Sequence, residues 1–546
     1  MTHAAISGPE DLKNLKVTIM GLGRFGGGIA AVRYLVNKNA VVTVTDQLPE
    51  RQLQKSLAQI ADLPLKHVFW GDHPDEAFTD CQLLVVNPAV KPDHPVLQKC
   101  DAAGIPVITE IQLLVLHLRT LGDQSRNSPD VTKKLEPAAH QPSAVQVVAV
   151  TGSNGKSTTA ALIQHFLNAD FKNKGVSRRC WLGGNVGGSL LSDVSRIQVA
   201  DVVVLELSSF QLHHLRGFDF APDVSVLTSF SSNHLDWHPD LKHYQASKQI
   251  LFGKQNRTQM AVLPSCHITN GQRSFGPEHD EEDQPTWRIR CQEMRFGIVD
   301  DGQDGVFWEE NSLVVRRQGV EDAVRMSLPA SLSGEHSLHN LTAAACAAVQ
   351  VGADPIAFPN SVASFRGLPY RLAVCGQNDT LMMVNDSAAT TPESTIAAVK
   401  TLRQTVNRRF GRGLSSTNGT TANRPAVPNT APYAQVGRLI VIVGGADKGS
   451  DLSQLASQLN DSADGVVAIG DVANTLATLV KALPNAQCET VVEAVDFESA
   501  FAQAVELVAS TGIVLLSPGC SSFGWFRDYV DRGQQFDLLV EQWMQK

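Results

Sequence analysis

Gly152-Ser153-Asn154-Gly155-Lys156-Ser157-Thr158 sets two glycines, a lysine and hydroxyls between an apolar run, Val145–Val150, and a helical stretch, Thr159–Leu167. Glycines let backbone N–H groups point inward at a phosphate, and the following helix N-terminus adds positive potential. Lys156 supplies a point charge, and Ser157 is a hard ligand suited to Mg²⁺. Such a loop supports binding and cleavage of a nucleoside triphosphate. The general phosphate-loop pattern begins on a glycine where this chain has Val150, so the loop is a variant form. Downstream, Leu205-Glu206-Leu207-Ser208-Ser209 ends an apolar strand on a carboxylate, and Asn233-His234-Leu235-Asp236 follows the next strand. A carboxylate and an imidazole at the ends of neighbouring parallel strands face the same crevice as the loop, where they can hold Mg²⁺. Taken singly, Glu206 also reads as a solvent-facing strand end and His234 as an ordinary loop histidine.

A second glycine pattern, Gly21-x-Gly23-x-x-Gly26, follows a strand, with Asp46 twenty residues beyond its last glycine. That spacing is the dinucleotide fingerprint, so a NAD-dependent oxidoreductase is a legitimate reading of this segment. It leaves the phosphate loop and Glu206 unexplained, and NAD is not the expected cofactor. A nucleotide switch or assembly ATPase is a third class, distinguished by ATP hydrolysis that needs no second substrate.

The elements that must position these groups read as α/β throughout. Lys16–Met20, Ala40–Thr45, Gln82–Val86 and Pro106–Ile108 are expected strands of one parallel sheet, in a Rossmann-like unit over residues 1–118. A polar stretch at 119–144 reads as an insertion or linker. A central phosphate-loop unit then spans 145–366, with strands Val145–Val150, Asp201–Leu207 and Val224–Thr228, an acidic surface loop at Glu278–Asp283 and an alanine-rich helix at Ser337–Val351. Leu368-Pro369 marks the exit to a third, Rossmann-like unit over 367–546. Its strands are expected near Leu381–Val384, Leu439–Val443, Gly465–Ile469 and Gly512–Leu516, and residues 408–437, dominated by Ser, Thr, Asn, Pro and Gly, read as a disordered insertion.

A length of 546 residues leaves room for three or four domains, each with its own core. A formal net charge of −9 provides no basic field for nucleic acid, so phosphate must be bound locally by loops and single cations. No apolar run approaches the ~20 residues of a membrane span, and residues 1–16 do not read as a secretory signal. A cytoplasmic chain without membrane insertion is expected, and a monomer. Nine cysteines without a Cys-x-x-Cys pair argue against a disulfide framework and a structural zinc site.

In order along the chain, Gly21-Leu22-Gly23, Thr151–Thr158, Gly183-Gly184-Asn185-Val186-Gly187, Glu206–Gln211, Asn233–Asp236, Gly334-Glu335-His336, Gly367–Arg371, Asn385-Asp386-Ser387, Gly444–Lys448 and Leu516–Ser522 resemble the Mur ligase family. The resemblance implies an ATP-dependent amide ligase of peptidoglycan precursor synthesis, with UDP-N-acetylmuramoyl-L-alanine and D-glutamate as substrates, ATP as cofactor and two Mg²⁺. It implies that Gly152, Ser153, Asn154, Gly155, Lys156, Ser157 and Thr158 hold the phosphates, and that Ser157, Glu206 and His234 serve metal. Lys248, otherwise a solvated helix lysine, becomes a carbamylated metal ligand. Asn340, Arg371 and Asp386 are implied for the nucleoside end of ATP, and Gly23, Arg24, Phe25, Asp46, Asn87 and Asn185 for the UDP-sugar. Thr390, Lys448, Ser522 and Phe523 are implied for D-glutamate. Ala388 departs from the family's Asn-Asp-Ser-Lys run, which leaves one cation fewer for the substrate carboxylates. Tripeptide-forming and folate-glutamating relatives are the alternatives within this group.

Overall fold

The structure, a computed structural model, describes residues 6–22, 26–126, 144–231, 237–265, 267–269, 272–274, 287–328, 332, 334–410, 437–447, 451–483, 487–522 and 524–545. The chain forms two compact units, residues 1–329 with 335–365, and residues 330–334 with 366–546.

The first unit contains two main sheets. Strands β1 (Lys16–Met20), β2 (Val41–Asp46), β3 (His67–Trp70), β4 (Leu83–Val86) and β5 (Val107–Ile108) lie in the order β3-β2-β1-β4-β5, all parallel. The order reverses between β1 and β4, so a crevice opens at their C-terminal ends, where open parallel sheets bind ligands. The expected linker at 119–144 is wrong in its first part. The helix Glu110–Arg126 runs through residues 119–126, because the apolar stripe Leu113, Leu114 and Leu118 buries against the first sheet's core and carries the helix onward.

The second sheet is built from β6 (Gln146–Thr151), β7 (Cys180–Gly184), β8 (Val202–Glu206), β9 (Val224–Leu227) and β10 (Met260–Pro264), with β11 (His267–Thr269) and β12 (Gln272–Ser274) forming a separate hairpin. Strands β13 (Gln292–Gly297), β14 (Gly305–Glu309), β15 (Ser312–Arg317) and β16 (Val320–Arg325) extend it to nine strands, in the order β16-β15-β14-β13-β10-β9-β6-β8-β7. β6 lies between β8 and β9 and is parallel to both. Its residues Val148, Ala149 and Val150 are completely buried, as a central parallel strand covered on both faces requires.

The second unit holds β17 (Ala373–Gln377), β18 (Leu381–Asn385), β19 (Arg438–Gly444), β20 (Gly465–Ile469), β21 (Thr490–Glu493) and β22 (Gly512–Leu516), in the order β17-β18-β22-β19-β20-β21. Only β17 pairs antiparallel. The expected start of a disordered insertion at residue 408 is corrected, because the helix Pro392–Phe410 includes 408–410. Residues 411–436, and the acidic loop at 278–283, lie outside the described residues. Among the described residues no helix is long and apolar enough to cross a membrane.

Candidate active site

The phosphate loop connects β6 to the helix Lys156–Asn173. Val150 sits inside the strand, in register with Glu206 on one side and Val226 on the other. The loop therefore begins only at Gly152, and the absent glycine reflects a longer strand rather than a lost loop. Gly155 caps the helix at φ 82°, and a Cβ there would fall 2.2 Å from Asn340 Oδ1. Gly152 is equally confined: a Cβ would lie 2.0 Å from Thr228 Oγ1. A left-handed backbone costs a residue with a side chain ~1–2 kcal/mol even before a clash. Gly155→Ala is accordingly expected to lower stability by about 1–3 kcal/mol and to weaken ADP binding by displacing Asn340. Thermal unfolding with and without ADP checks this, and an unchanged melting temperature contradicts it.

Residues just beyond β9 brace the loop. Ser153 N–H donates to the Ser229 carbonyl at 2.9 Å, and Asn154 N–H to Ser229 Oγ at 2.9 Å. Thr228 Oγ1 donates to the Asn154 carbonyl, while Ser153 Oγ lies 3.1 Å from the Tyr244 hydroxyl. Sequence reasoning does not find this brace, although hydroxyls at the end of a strand beside a phosphate loop are a usable signal. Lys156 Nζ folds back onto the Ser153 carbonyl at 2.9 Å, and Ser157 is buried at the first helical turn. Asn340 also accepts a long bond from Thr159 Oγ1, 3.5 Å, which places it beside the loop.

Glu206 ends β8 and is 1% exposed. Its Oε1 accepts from Asn185 Nδ2 at 3.3 Å, whereas Oε2 has no hydrogen-bond partner among the described residues. The reading of Glu206 as a solvent-facing strand end is thus excluded. A buried carboxylate oxygen without a donor is costly unless a cation meets it. Lys248 is 1% exposed, which overturns the local reading of a solvated helix lysine. It projects from the helix Leu241–Gly253, donates to the Gly152 carbonyl at 2.8 Å and lies 4.5 Å from the Tyr244 ring centroid. Burial drives its amine well below the ordinary lysine range, Lys156 adds to that, and Glu206 opposes it. The neutral amine, which is the nucleophile that CO₂ carbamylation needs, is thereby more accessible here than in an exposed lysine. The donor set of hydroxyl, carboxylate and prospective carbamate is hard oxygen throughout, which suits Mg²⁺. His234 lies outside the described residues.

At the first sheet's crevice, Asp46 ends β2 and accepts from Leu48 N–H at 2.8 Å. Asn87 follows β4 and packs against Gly21, where a Cβ would come within 2.8 Å of Asn87 Cβ. The end of β1 is thereby joined to the end of β4, and Gly23, Arg24 and Phe25 lie outside the described residues. Glu110, at the foot of this sheet's last helix, accepts a hydrogen bond from Ser189, close beyond the Gly183–Gly187 turn.

In the second unit Asp386 is buried. Its oxygens accept from Leu372 N–H at 3.1 Å and Ser517 Oγ at 2.7 Å, while Arg371 follows the turn at Leu368. Burial pushes the Asp386 carboxyl up to about 7, against the opposing effects of Ser517, Leu372, Arg371 and Arg532. The folded protein then holds this proton more tightly than the unfolded chain, so stability falls as pH rises from the ordinary carboxyl range through about 7. Asp386→Asn should remove that fall, a change of about 2–4 kcal/mol between about pH 4 and pH 8. Urea unfolding across that range measures it, and an unchanged slope would show the carboxyl to be ionised throughout. Thr390 and Ser522 follow β18 and β22 respectively. Lys448 and Phe523 lie outside the described residues.

A phosphate loop on a central parallel strand, with a buried carboxylate at the next strand's end whose one oxygen lacks a donor among the described residues, defines a nucleotide-dependent α/β enzyme. Comparison with known proteins narrows this. Residues 15–109 match the Mur ligase MurD-like N-terminal domain, 150–348 the Mur ligase middle domain and 420–520 the Mur ligase glutamate ligase domain. The chain belongs to the Mur ligase family and is an ATP-dependent ligase. It is 28% identical to the UDP-N-acetylmuramoylalanine--D-glutamate ligase of Roseiflexus sp. (strain RS-1), over 97% of this chain and 99% of that one. It is 29% identical to the enzyme of the same name from Geobacter metallireducens, over 97% and 98% of the two chains. Its fold resembles the UDP-N-acetylmuramate-alanine ligase of Thermotoga maritima, with TM-score 0.53, 16% identity and coverage of 97% and 99%. MurF of Acinetobacter baumannii is similar at TM-score 0.53, 14% identity and coverage of 97% and 94%.

Proposed function

We propose that this chain joins the free carboxylate of UDP-N-acetylmuramoyl-L-alanine to the amine of D-glutamate, with cleavage of ATP to ADP and phosphate. Full-length relatives bearing that activity in their names support the substrate pair. The observation that carries the chemistry is the buried pair Glu206 and Lys248 beside the phosphate loop. In the first step a substrate carboxylate oxygen attacks the γ-phosphorus, the bond to the β-phosphate oxygen breaks, and an acyl phosphate and ADP result. In the second, the D-glutamate amine attacks the acyl carbon, and phosphate leaves as the amide forms and the amine loses its proton.

Because the activated intermediate is built on the substrate, no nucleophilic side chain is required, and the protein's work is positioning and charge neutralisation. Residues 152–158 cradle the phosphates, Lys156 neutralises the transferring group, and Asn340 with Arg371 and Asp386 serves the nucleoside. Ser157, Glu206, His234 and the carbamate of Lys248 would hold Mg²⁺, which supplies charge stabilisation at the phosphoryl oxygens. Asp46, Asn87, Asn185 and residues 23–25 receive the UDP-sugar. Thr390, Lys448, Ser522 and Phe523 receive D-glutamate, and Ala388 leaves Lys448 as the cation for its carboxylates.

The decisive assay follows ADP formation with UDP-N-acetylmuramoyl-L-alanine across a panel of amino acids. Release that depends on D-glutamate alone is expected. Release without any amino acid would point to a nucleotide switch, and release with a different amino acid to another branch of the family.

A further inference from the structure

The second unit contains a buried guanidinium that no substrate role accounts for. Arg532, 0% exposed, lies on the helix Tyr529–Met544 and makes no ion pair among the described residues. Its Nε donates to Ser387 Oγ at 3.0 Å, one terminal nitrogen to the Ser387 carbonyl at 2.8 Å, and the other to the Cys520 carbonyl at 3.3 Å. Ser387 belongs to the loop after β18 that leads to Thr390, and Cys520 to the loop after β22 that leads to Ser522. One planar group therefore bridges the two segments.

The surrounding bonds make the bridge rigid. Ser387 Oγ donates onward to the Tyr529 carbonyl at 2.7 Å, and Asn385 Nδ2 donates to the Gly533 carbonyl at 2.9 Å and to Asp537 Oδ1 at 2.7 Å. Two residues of the Asn385-Asp386-Ser387 run are thus committed to this helix. Burial lowers the guanidinium to about 10, with Cys520 and Asp386 opposing, so it stays charged at neutral pH. A guanidinium presents its donors in a fixed fork, which a lysine ammonium cannot reproduce.

We infer that Arg532 is a positioning residue that sets the separation of the 386–390 and 517–522 loops and thereby shapes the binding site of the incoming amino acid. This rests on the assignment of those loops to D-glutamate. The test measures KM for ATP, UDP-N-acetylmuramoyl-L-alanine and D-glutamate in Arg532→Lys and Ser387→Ala, with melting temperatures alongside. Loss of charge-assisted hydrogen bonds predicts a rise of about 10- to 100-fold in KM for D-glutamate. The other two KM values should move less than about twofold, and the double variant should be no worse than the poorer single one.

Three KM values moving together, or a lowered melting temperature with KM for D-glutamate unchanged, would overturn the inference. If Arg532→Lys does not fold, Ser387→Ala decides alone by the same criterion. If the unaltered enzyme turns over with a different amino acid, the D-glutamate assignment fails, and the same split is read with that amino acid. Turnover with no amino acid at all overturns both.

Discussion

Lys248→Ala is expected to retain the fold and lose about 10²- to 10³-fold in kcat, with partial recovery when formate or acetate is supplied in solution. The lysine is buried behind the phosphate loop, its nitrogen 2.8 Å from the Gly152 carbonyl and 4.5 Å from the Tyr244 ring centroid. Burial and the neighbouring Lys156 both favour the uncharged amine. That amine can attack CO₂: the N–C bond forms, one C–O π bond breaks, a proton leaves to solvent, and a neutral amine becomes a carbamate anion on the same side chain. A small carboxylate entering the space vacated by alanine restores the anion without the tether. Full activity of Lys248→Ala without additive would remove the carbamate from the mechanism.

The same burial makes a stability prediction of opposite sign. With its folded-state pKa below the unfolded one, Lys248 makes the folded protein bind fewer protons, so this contribution to stability rises with pH toward the ordinary lysine range. Lys248→Met should therefore melt higher than the unmodified protein at neutral pH, by about 2–4 °C for each kcal/mol gained. The advantage should shrink as pH increases. A site whose removal stabilises the fold while abolishing activity is retained for function.

The legible parts of this molecule are those whose local chemistry and tertiary setting agree. β20 and β22 are short apolar runs opened by Gly465 and Gly512, and both occur at the residues expected from sequence. The phosphate loop and Glu206 fall at the ends of adjacent parallel strands, as their placement after apolar runs implied. β13–β16 escape notice because they build one edge of a sheet, and β16 is almost wholly exposed, so no apolar pattern marks it. Lys248 is more instructive. Tyr244, Lys248, Leu251 and Phe252 lie at helical spacing and are all buried, so the lysine sits within the apolar stripe of its helix. Arg532 shows the same pattern with Phe536 and Val540. A charge inside an apolar stripe must be buried with partners, and reading stripe membership would have marked both residues. The ion-free bridge made by Arg532 has no sequence signal, because Ser387 and Cys520 meet it only through the tertiary fold.

Lys156→Ala should abolish product formation, with a loss of about 10³-fold or more in kcat, while the melting temperature changes little. The small structural cost follows from its setting. Lys156 is partly exposed at the first turn of its helix, and its nitrogen donates to the Ser153 carbonyl of its own loop. The large functional cost follows from charge: the loop's amides orient a phosphate, but this ammonium is the mobile cation able to follow charge onto the leaving and transferring oxygens. A second consequence is specific to this arrangement. Lys156 helps to depress Lys248, so its removal shifts Lys248 toward the protonated form and disfavours the carbamate. The single losses should then overlap, and the Lys156→Ala/Lys248→Ala double variant should be only a few-fold worse than the poorer single variant, far short of their product. Losses that multiply would show that the two lysines act independently, and substantial activity in Lys156→Ala alone would overturn the phosphate-loop assignment.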